Sequence, residues 1–509
     1  MLCFLLLYCI IVVNKRYAPI LQPKIGTNRK IMQDLRQARK QKGLTQSQIA
    51  TELGISQQAY AKYESGETRM SEDMTAKLEA LLEVKLSSDD EFLSKALGKD
   101  ATIEEFLNAS YTAYHSTLNA VSMLEEMGFS RVTDEHQTFE KGGKYYITKN
   151  SSAVIAFKIG DLSHYAFNIA GSHTDSPCFR VKGNALMDSA EGKRFNVEEY
   201  GGALEYSFLD IPLKLAGRVL VKAETGLEEQ IVESTRLFNI PSLCIHHSSG
   251  SAPSVSVQND MSPLVVNGDS VYEFVSHGEV VDGDLFVTPA VKAFASGDLL
   301  CAPRIDNLTS VYASIKGIAD SAPKGVAVAC CYDNEEIGSG TKQGAQSAFL
   351  SDVLHMINRG LCKTDADFVT ACKNGFVLSI DNGHAVHPAH PEKSDPVNRV
   401  YLGKGIVIKH HTNYSTDGLS SAIVKSILDK AGIEHQDYYN NSDGRCGGTI
   451  GLIASRQLEM NACDIGLAQL AMHSAIETVN RSDVEKMQAC VTAFFNTAIK
   501  TDGSKIALA

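Results

Sequence analysis

The 509-residue sequence has no tryptophan and only 7% aromatic residues, an absence that identifies no fold. Its twelve cysteines include no Cys-x-x-Cys pair and no regular spacing, so neither a zinc-ribbon framework nor a disulfide scaffold is written into the chain. Cys244, Cys330, Cys331 and Cys372 sit in apolar runs, where a free thiol behaves as a small hydrophobe. That usage points to a reducing cytoplasm. Positive charge is in deficit: the formal net charge of −12 excludes a nucleic-acid coat as the role of the whole molecule, while leaving room for one basic module. An apolar run of the roughly twenty residues that a membrane-spanning helix needs is also missing. The most apolar stretch, Leu2 to Val13, is about twelve residues long. No basic residue precedes it and no small-x-small cleavage site follows, so a signal peptide is disfavoured. Residues 1–28 are read as an apolar leader outside any domain, with Met32 as the expected true start in preference to a weak membrane anchor.

What is there is a globular composition, 44% hydrophobic and 21% charged, in a chain too long for one ordinary core. Residues 29–84 are helical in pattern, and the polar stretch over 85–100 (with LSSDDEFLSKALGKD) reads as a linker. From Ala101 onward apolar strand-like runs alternate with amphipathic segments, which predicts an α/β domain. Within it, 181–294 changes to short β-branched runs divided by Gly, Asp and Ser turns. That stretch is read as a mostly β insertion between a first part at 101–180 and a second at 295–509.

In the N-terminal region GLTQSQIATELGISQQAYAKYESG, Thr45 can cap a helix carrying Ile49 and Leu53, Gly54 permits a tight turn, and Ser56 caps a second short helix. Two short helices joined by a Gly-containing turn are the helix-turn-helix arrangement. Arg29, Lys30, Arg36, Arg39, Lys40, Lys42 and Lys62 outnumber Asp34 and Glu52, a balance suited to phosphates. The region resembles the Cro/repressor-type family. That resemblance implies an all-α domain binding double-stranded DNA, with Gln46, Gln57, Gln58, Tyr60 and Lys62 facing it. A helical protein-docking module is the alternative.

Five segments place acids and histidines where strands end or helices begin. A strand from about Tyr165 to Ala170 delivers His173 and Asp175 just past its end. GVAVACCYDNEEIGSG delivers Glu335 and Glu336, NGFVLSIDNGHAVHP delivers Asp381 and His384, and CAPRIDNLTS puts Asp306 at a helix start. DIGLAQLAMHSAIE puts His473 on or beside the last helix. In open α/β sheets ligands bind beyond the carboxyl ends of strands, so these groups can converge. Taken singly, each is an ordinary surface turn, solvated acidic patch or helix cap. Together they suit two divalent cations, which need several anionic or imidazole ligands, one shared carboxylate and one further carboxylate left free as a base. The adjacent Glu335 and Glu336 fit that division of labour. His173-Thr-Asp175 fits a ligand with an acid behind it that fixes the imidazole tautomer.

The stretches FLNASYTAYH, GGKYYITKN, GSHTDSP, YGGALEYSFLDIPLKLAGRV, PRIDNL, DNEEIGSGTKQGA, SIDNGHAVHP, HPEKSDP, CGGTIG and DIGLAQLAMHS resemble the M18 (aspartyl) aminopeptidase family from Phe106 to Glu477. The resemblance implies a zinc-exopeptidase-type α/β sandwich whose β insertion builds dimers, and dimers assembled into dodecamers. It implies a pair of metal ions on His173, Asp306, Glu336, Asp381 and His473 with Asp306 bridging. Zinc is expected, with cobalt or manganese as the alternative at one site. It makes Glu335 the general base and Asp175 the acid behind His173. His246 would cross from a neighbouring subunit to the oxyanion, and His384, Lys409, Tyr414 and Asp443 would line the substrate pocket. Lys409 matches the position whose cation meets an acidic N-terminal side chain; an ammonium turned to solvent beside an apolar pocket is the alternative. Ala389, Ile211 and the short KHHTNYSTDG segment depart from the family pattern; they leave the metal set intact and bear on side-chain preference. The expected activity is hydrolysis of the first peptide bond of cytoplasmic peptides. The rivals are a transcription regulator whose peptidase half only senses peptide, and a peptide-binding scaffold without turnover.

Overall fold

The computed structural model describes residues 35–36, 38–40, 42–65, 72–82, 91–247, 255–265, 267–502 and 505–509. The apolar leader, Met32 and residues 85–90 of the expected linker lie outside the described residues. One compact unit takes in Met1–Glu91 with Leu220–Glu228 and Ser276–Val281; the other takes in Phe92–Val219, Glu229–Val275 and Asp282–Ala509.

In the first unit, helices run over Gln46–Glu52, Gln57–Ser65 and Glu72–Leu82. Thr45 opens the first with a reciprocal capping box to Gln48, and the Ser56 hydroxyl accepts from the Ala59 amide at 3.1 Å. Between them Gly54 has φ +65°, a left-handed conformation that costs a glycine nothing. Leu35, Ile49, Ala50, Tyr60, Leu78 and Leu82 close a small core.

The second unit is built on a nine-stranded sheet. Its order is Ser130–Arg131, Lys144–Lys149, Ala153–Ile159, Val326–Tyr332, Phe167–His173, Phe376–Ile380, Asn461–Gly466, Ile406–His410, His435–Tyr439. The middle four strands run parallel to one another. Successive side chains of a strand face opposite ways, and the core divides accordingly. Ala327, Ala329 and Cys331 pack on one face against helices Ile305–Asp320 and Arg481–Phe495, while Val326, Val328 and Cys330 pack on the other with residues of Phe349–Gly360 and Ile450–Leu458. The result is the expected three-layer α/β sandwich, its central strands apolar throughout because both faces are covered.

The mostly β insertion is a six-stranded sheet in the order Gly226–Phe238, Leu213–Ala223, Val280–Pro289, Cys178–Asp188, Lys193–Tyr200, Leu264–Val265. A five-stranded sheet brings Leu299–Ala302, Glu477–Asn480, Ala468–Leu470 and Gly383–His384 together. No helix among the described residues is long and apolar enough to cross a membrane.

Candidate metal centre

The carboxyl ends of the parallel strands supply the centre. His173 is itself the last residue of the strand Phe167–His173, so that strand runs further than its sequence pattern indicates. Glu335 and Glu336 follow the strand Val326–Tyr332 in a single 3-10 turn, Glu335–Ile337. Asp381 follows the strand Phe376–Ile380. Asp306 stands in the first turn of the helix Ile305–Asp320 with non-helical backbone angles, and its peptide bond to Asn307 is cis. His473 corrects the sequence reading. It lies on no helix but in the turn between strands Ala468–Leu470 and Glu477–Asn480, with φ 64°. Apolar residues at helical spacing in DIGLAQLAMHSAIE are strands buried on both sides, which periodicity cannot distinguish from a buried helix.

Asp306 stands between two imidazoles. Its Oδ1 is 3.5 Å from His173 Nε2, and its Oδ2 is 3.9 Å from His473 Nε2. Asp381 Oδ1 lies 3.7 Å from the same His173 nitrogen, and Glu336 Oε2 lies 3.3 Å from the His473 nitrogen. The five side chains thus sort into two half-sites, His173 with Asp381 and His473 with Glu336, sharing Asp306. Donor atoms of His173, Asp306 and Asp381 fall within 4.8 Å of one another, as do those of His173, Glu335 and Glu336.

Burial makes this assembly costly without cations. Desolvation raises the Glu336 carboxyl well above its ordinary range, with the charges of Asp306 and Glu335 adding to it. The same cause raises Asp306 and pushes Glu335 up to about 8. Burial would also discharge His173, but Asp175, Asp306 and Asp381 outweigh it and raise the imidazole well above its usual value. Glu336 Oε1 is buried without a hydrogen-bond partner among the described residues. Carboxylates and imidazoles are zinc donors, and this crowding of buried acids around a shared carboxylate fits a pair of divalent ions.

Asp175 sits behind His173, its Oδ1 3.4 Å from Nδ1, and accepts the Glu335 and Glu336 amides at 3.1 and 3.2 Å. Glu477 was not singled out in the sequence. It is 2% exposed and accepts the Asp306 amide at 2.9 Å and the His473 amide at 2.6 Å, fixing the backbones of the shared ligand and of one imidazole. Its only sequence signal, an acid four residues past His473, is an ordinary strand start until the chain is folded.

Lys409 is not turned to solvent. It is 2% exposed and donates to the Asp381 carbonyl, the Asn382 carbonyl and Asp381 Oδ2 at 3.1, 3.0 and 3.3 Å. Its charge holds Asp381 well below the usual carboxylate range, although burial acts the other way. The strand Ile406–His410 pairs with Asn461–Gly466 at its apolar residues, which turns Lys409 under the site. Lys409 Nζ also lies 4.9 Å from the Tyr414 ring, and the Tyr414 hydroxyl accepts from Cys446 Sγ at 3.3 Å. His384 ends the strand Gly383–His384, its pKa lowered by desolvation and by Lys409. Asp443 and His246 are exposed in turns and enter none of the contacts among the five candidate ligands.

In the helical module Tyr60 corrects another reading. It is fully buried, at 0% exposure, and serves the core rather than a DNA surface. Arg39 is committed to the buried Glu64 at 2.7 Å, and the Gln46 amide donates to the same carboxylate. Gln57, Gln58 and Lys62 are exposed.

Known proteins similar to this chain fall in one peptidase family and one helix-turn-helix family. Residues 106–267 and 267–495 match the family model for aminopeptidase I zinc metalloproteases (M18), and residues 35–88 match a helix-turn-helix model. A probable M18 family aminopeptidase 2 of Clostridium novyi is 37% identical over 74% of this chain and 94% of its own length. Among solved structures, a chain of the Ape4 and Nbr1 complex superposes with TM-score 0.73 at 30% identity, covering 77% of this chain and 84% of that one. The mApe1 dodecamer of S. cerevesiae gives 0.67 at 25% identity, covering 77% and 95%.

Proposed function

The chain belongs to the M18 family of zinc metalloproteases, and from that premise we propose that it is a two-metal aminopeptidase removing the N-terminal residue of peptides. One observation carries the reading: the two oxygens of Asp306 face the two imidazoles, His173 and His473. His173, Asp381 and Asp306 would hold one ion, and His473, Glu336 and Asp306 the other. When bound, the ions supply an acidified water and Lewis-acid stabilisation of the developing oxyanion. Glu335, beside the ligands but outside both half-sites, takes a proton from the attacking water and hands it to the leaving amine. Asp175 holds His173 in its ligating tautomer. His246, exposed in its turn, would serve a neighbouring subunit's site as an oxyanion donor, a role that the dodecameric mApe1 supports by pointing to an assembled homo-oligomer. His384, Tyr414 and Asp443 shape the pocket for the substrate's first residue.

Preference for N-terminal Asp or Glu is the finer part of the proposal. It is supported by the Lys409 ammonium under the site and limited by the claim Asp381 already has on that charge. The free thiols support a cytoplasmic site of action. Gln57, Gln58 and Lys62 on the exposed second helix support DNA binding by the module. Release of free amino acid from a panel of peptides differing at the first residue, with and without a zinc chelator, tests the reading. Turnover that survives complete metal removal overturns it, as does cleavage confined to internal bonds.

A further inference from the structure

The insertion does more at the site than its distance in sequence indicates. Its strand Lys193–Tyr200 runs out at the metal centre and continues as Gly201 and Gly202. The Tyr200 hydroxyl donates to Asp175 Oδ2 at 2.8 Å and accepts from Asn334 Nδ2 at 2.8 Å. His173 Nδ1 meets the Asp175 carbonyl at 3.1 Å, with the other carboxylate oxygen of Asp175 at 3.4 Å. Two residues on, the Gly202 carbonyl accepts from His473 Nδ1 at 2.9 Å, and the Leu204 amide donates to the His473 carbonyl at 2.9 Å. Between them Gly201, with φ +76°, passes so close that a Cβ there would meet Glu336 Cβ at 3.0 Å. Both imidazoles proposed as metal ligands are therefore backed at Nδ1, with Nε2 facing the carboxylates, by groups of one three-residue segment or by an acid that segment holds.

We propose that the Tyr200–Gly202 segment of the inserted sheet sets the orientation of both imidazoles, and that the Tyr200 hydroxyl is a positioning group acting on His173 through Asp175. This rests on the two-metal reading above. Packing alone does not fix Asp175: a cavity of about 470 Å³, lined by Asp175, Tyr200, Asp333 and Asn334 among others, opens beside the pair. The Tyr200 hydroxyl adds a side-chain hold to the two backbone amides on the carboxylate. Among the described residues the Asp175 carboxylate accepts from the Glu335 and Glu336 amides, one on each oxygen, and from this phenol, so losing the phenol leaves two backbone contacts and loosens the hold on the oxygen pair that faces His173. Tyr200 is 8% exposed and its ring packs edge-on against Phe286 at 5.5 Å, contacts that phenylalanine keeps.

The test is zinc affinity of the full chain, measured by competition with a chromophoric chelator, for wild type, Tyr200→Phe, Asp175→Asn and the double variant. Partners behind a ligating histidine typically change metal affinity about 10–100-fold, so Tyr200→Phe is expected to bind zinc about tenfold more weakly. In the Asp175→Asn background the same substitution is expected to change affinity less than about twofold, because the hydroxyl has no carboxylate left to act through. Thermal unfolding of the metal-free proteins reports any general loss of fold, which would leave no such non-additivity. Unchanged affinity in Tyr200→Phe, or equal losses in both backgrounds, overturns the proposal. A wild type that binds no zinc fails the two-metal reading instead.

Discussion

The helical module and the metal centre each bury acids, and they settle the resulting charge differently. In the module the buried carboxylate of Glu64, 3% exposed, is met by the Arg39 guanidinium and the Gln46 amide. Pairing with Glu64 raises the pKa of Arg39, so this charge stays on. In the metal centre Asp306, Glu335 and Glu336 crowd together, and the buried cation of the neighbourhood, Lys409, is committed to Asp381. One region is electrostatically closed. The other leaves a negative site whose neutralisation must come from protons or from added cations, which is the physical content of a metal site before its ions arrive.

The largest effect expected from disturbing this contrast is catalytic. Glu335→Gln keeps shape and removes the proton acceptor, so turnover should fall about 10²–10⁴-fold. Elemental analysis of the same samples should show the metal retained. Turnover within a few-fold of wild type would remove Glu335 from the role of base. The next effect is on stability, in the closed region. Arg39→Met strands the Glu64 charge and should destabilise the module by about 3 kcal/mol, while Arg39→Met with Glu64→Leu should recover most of that. Calorimetry of both variants checks it, and peptidase activity should be the same in each.

The open region should instead respond to pH. Acids whose folded pKa exceeds the unfolded value contribute stability that is fully present below the unfolded value and lost as pH rises through the folded one. Asp333, pushed to about 7, and Glu335, pushed to about 8, place this window between about pH 4 and 8. Metal-free protein should therefore melt at a lower temperature at pH 8.5 than at pH 5, and zinc should reverse the trend. Melting that is level across this range without metal would show that the carboxylates are relieved by some other route.

How much of this was legible in the sequence depended on distance along the chain. His173, Asp381 and the Glu335–Glu336 pair follow apolar strands of recognisable length, so local pattern sufficed to place them at one sheet edge. The capped helices of the module were equally readable, because Thr45, Gly54 and Ser56 act within a few residues. Tyr60 misled, since a tyrosine on a short polar helix reads as surface until Leu35 and Leu78 close over it. Lys409 and Glu477 were hidden for a different reason. Their partners, Asp381 and Asn382 for one, Asp306 and His473 for the other, are fixed by sheet order and not by spacing. His473 was read as on or beside the last helix because strands buried on both faces lose the alternation that marks a strand.

The smallest effect concerns the module's surface. Gln58→Ala should weaken binding to a cognate duplex by about 1–3 kcal/mol if the residue reads a base, with the salt dependence unchanged. Fluorescence anisotropy at two ionic strengths measures both. Full-length protein with no affinity for DNA at low salt would make the module a docking domain.

Asp306 carries the central claim, since one carboxylate serving both half-sites is what makes the centre a pair. Metal-free wild type and Asp306→Ala, each titrated with zinc by calorimetry and then analysed for bound metal after dialysis, test it directly. The account predicts two zinc ions per chain in wild type and the loss of at least one in Asp306→Ala, with turnover abolished. Two ions still tightly held by the variant would contradict it and reduce Asp306 to a residue of the helix start.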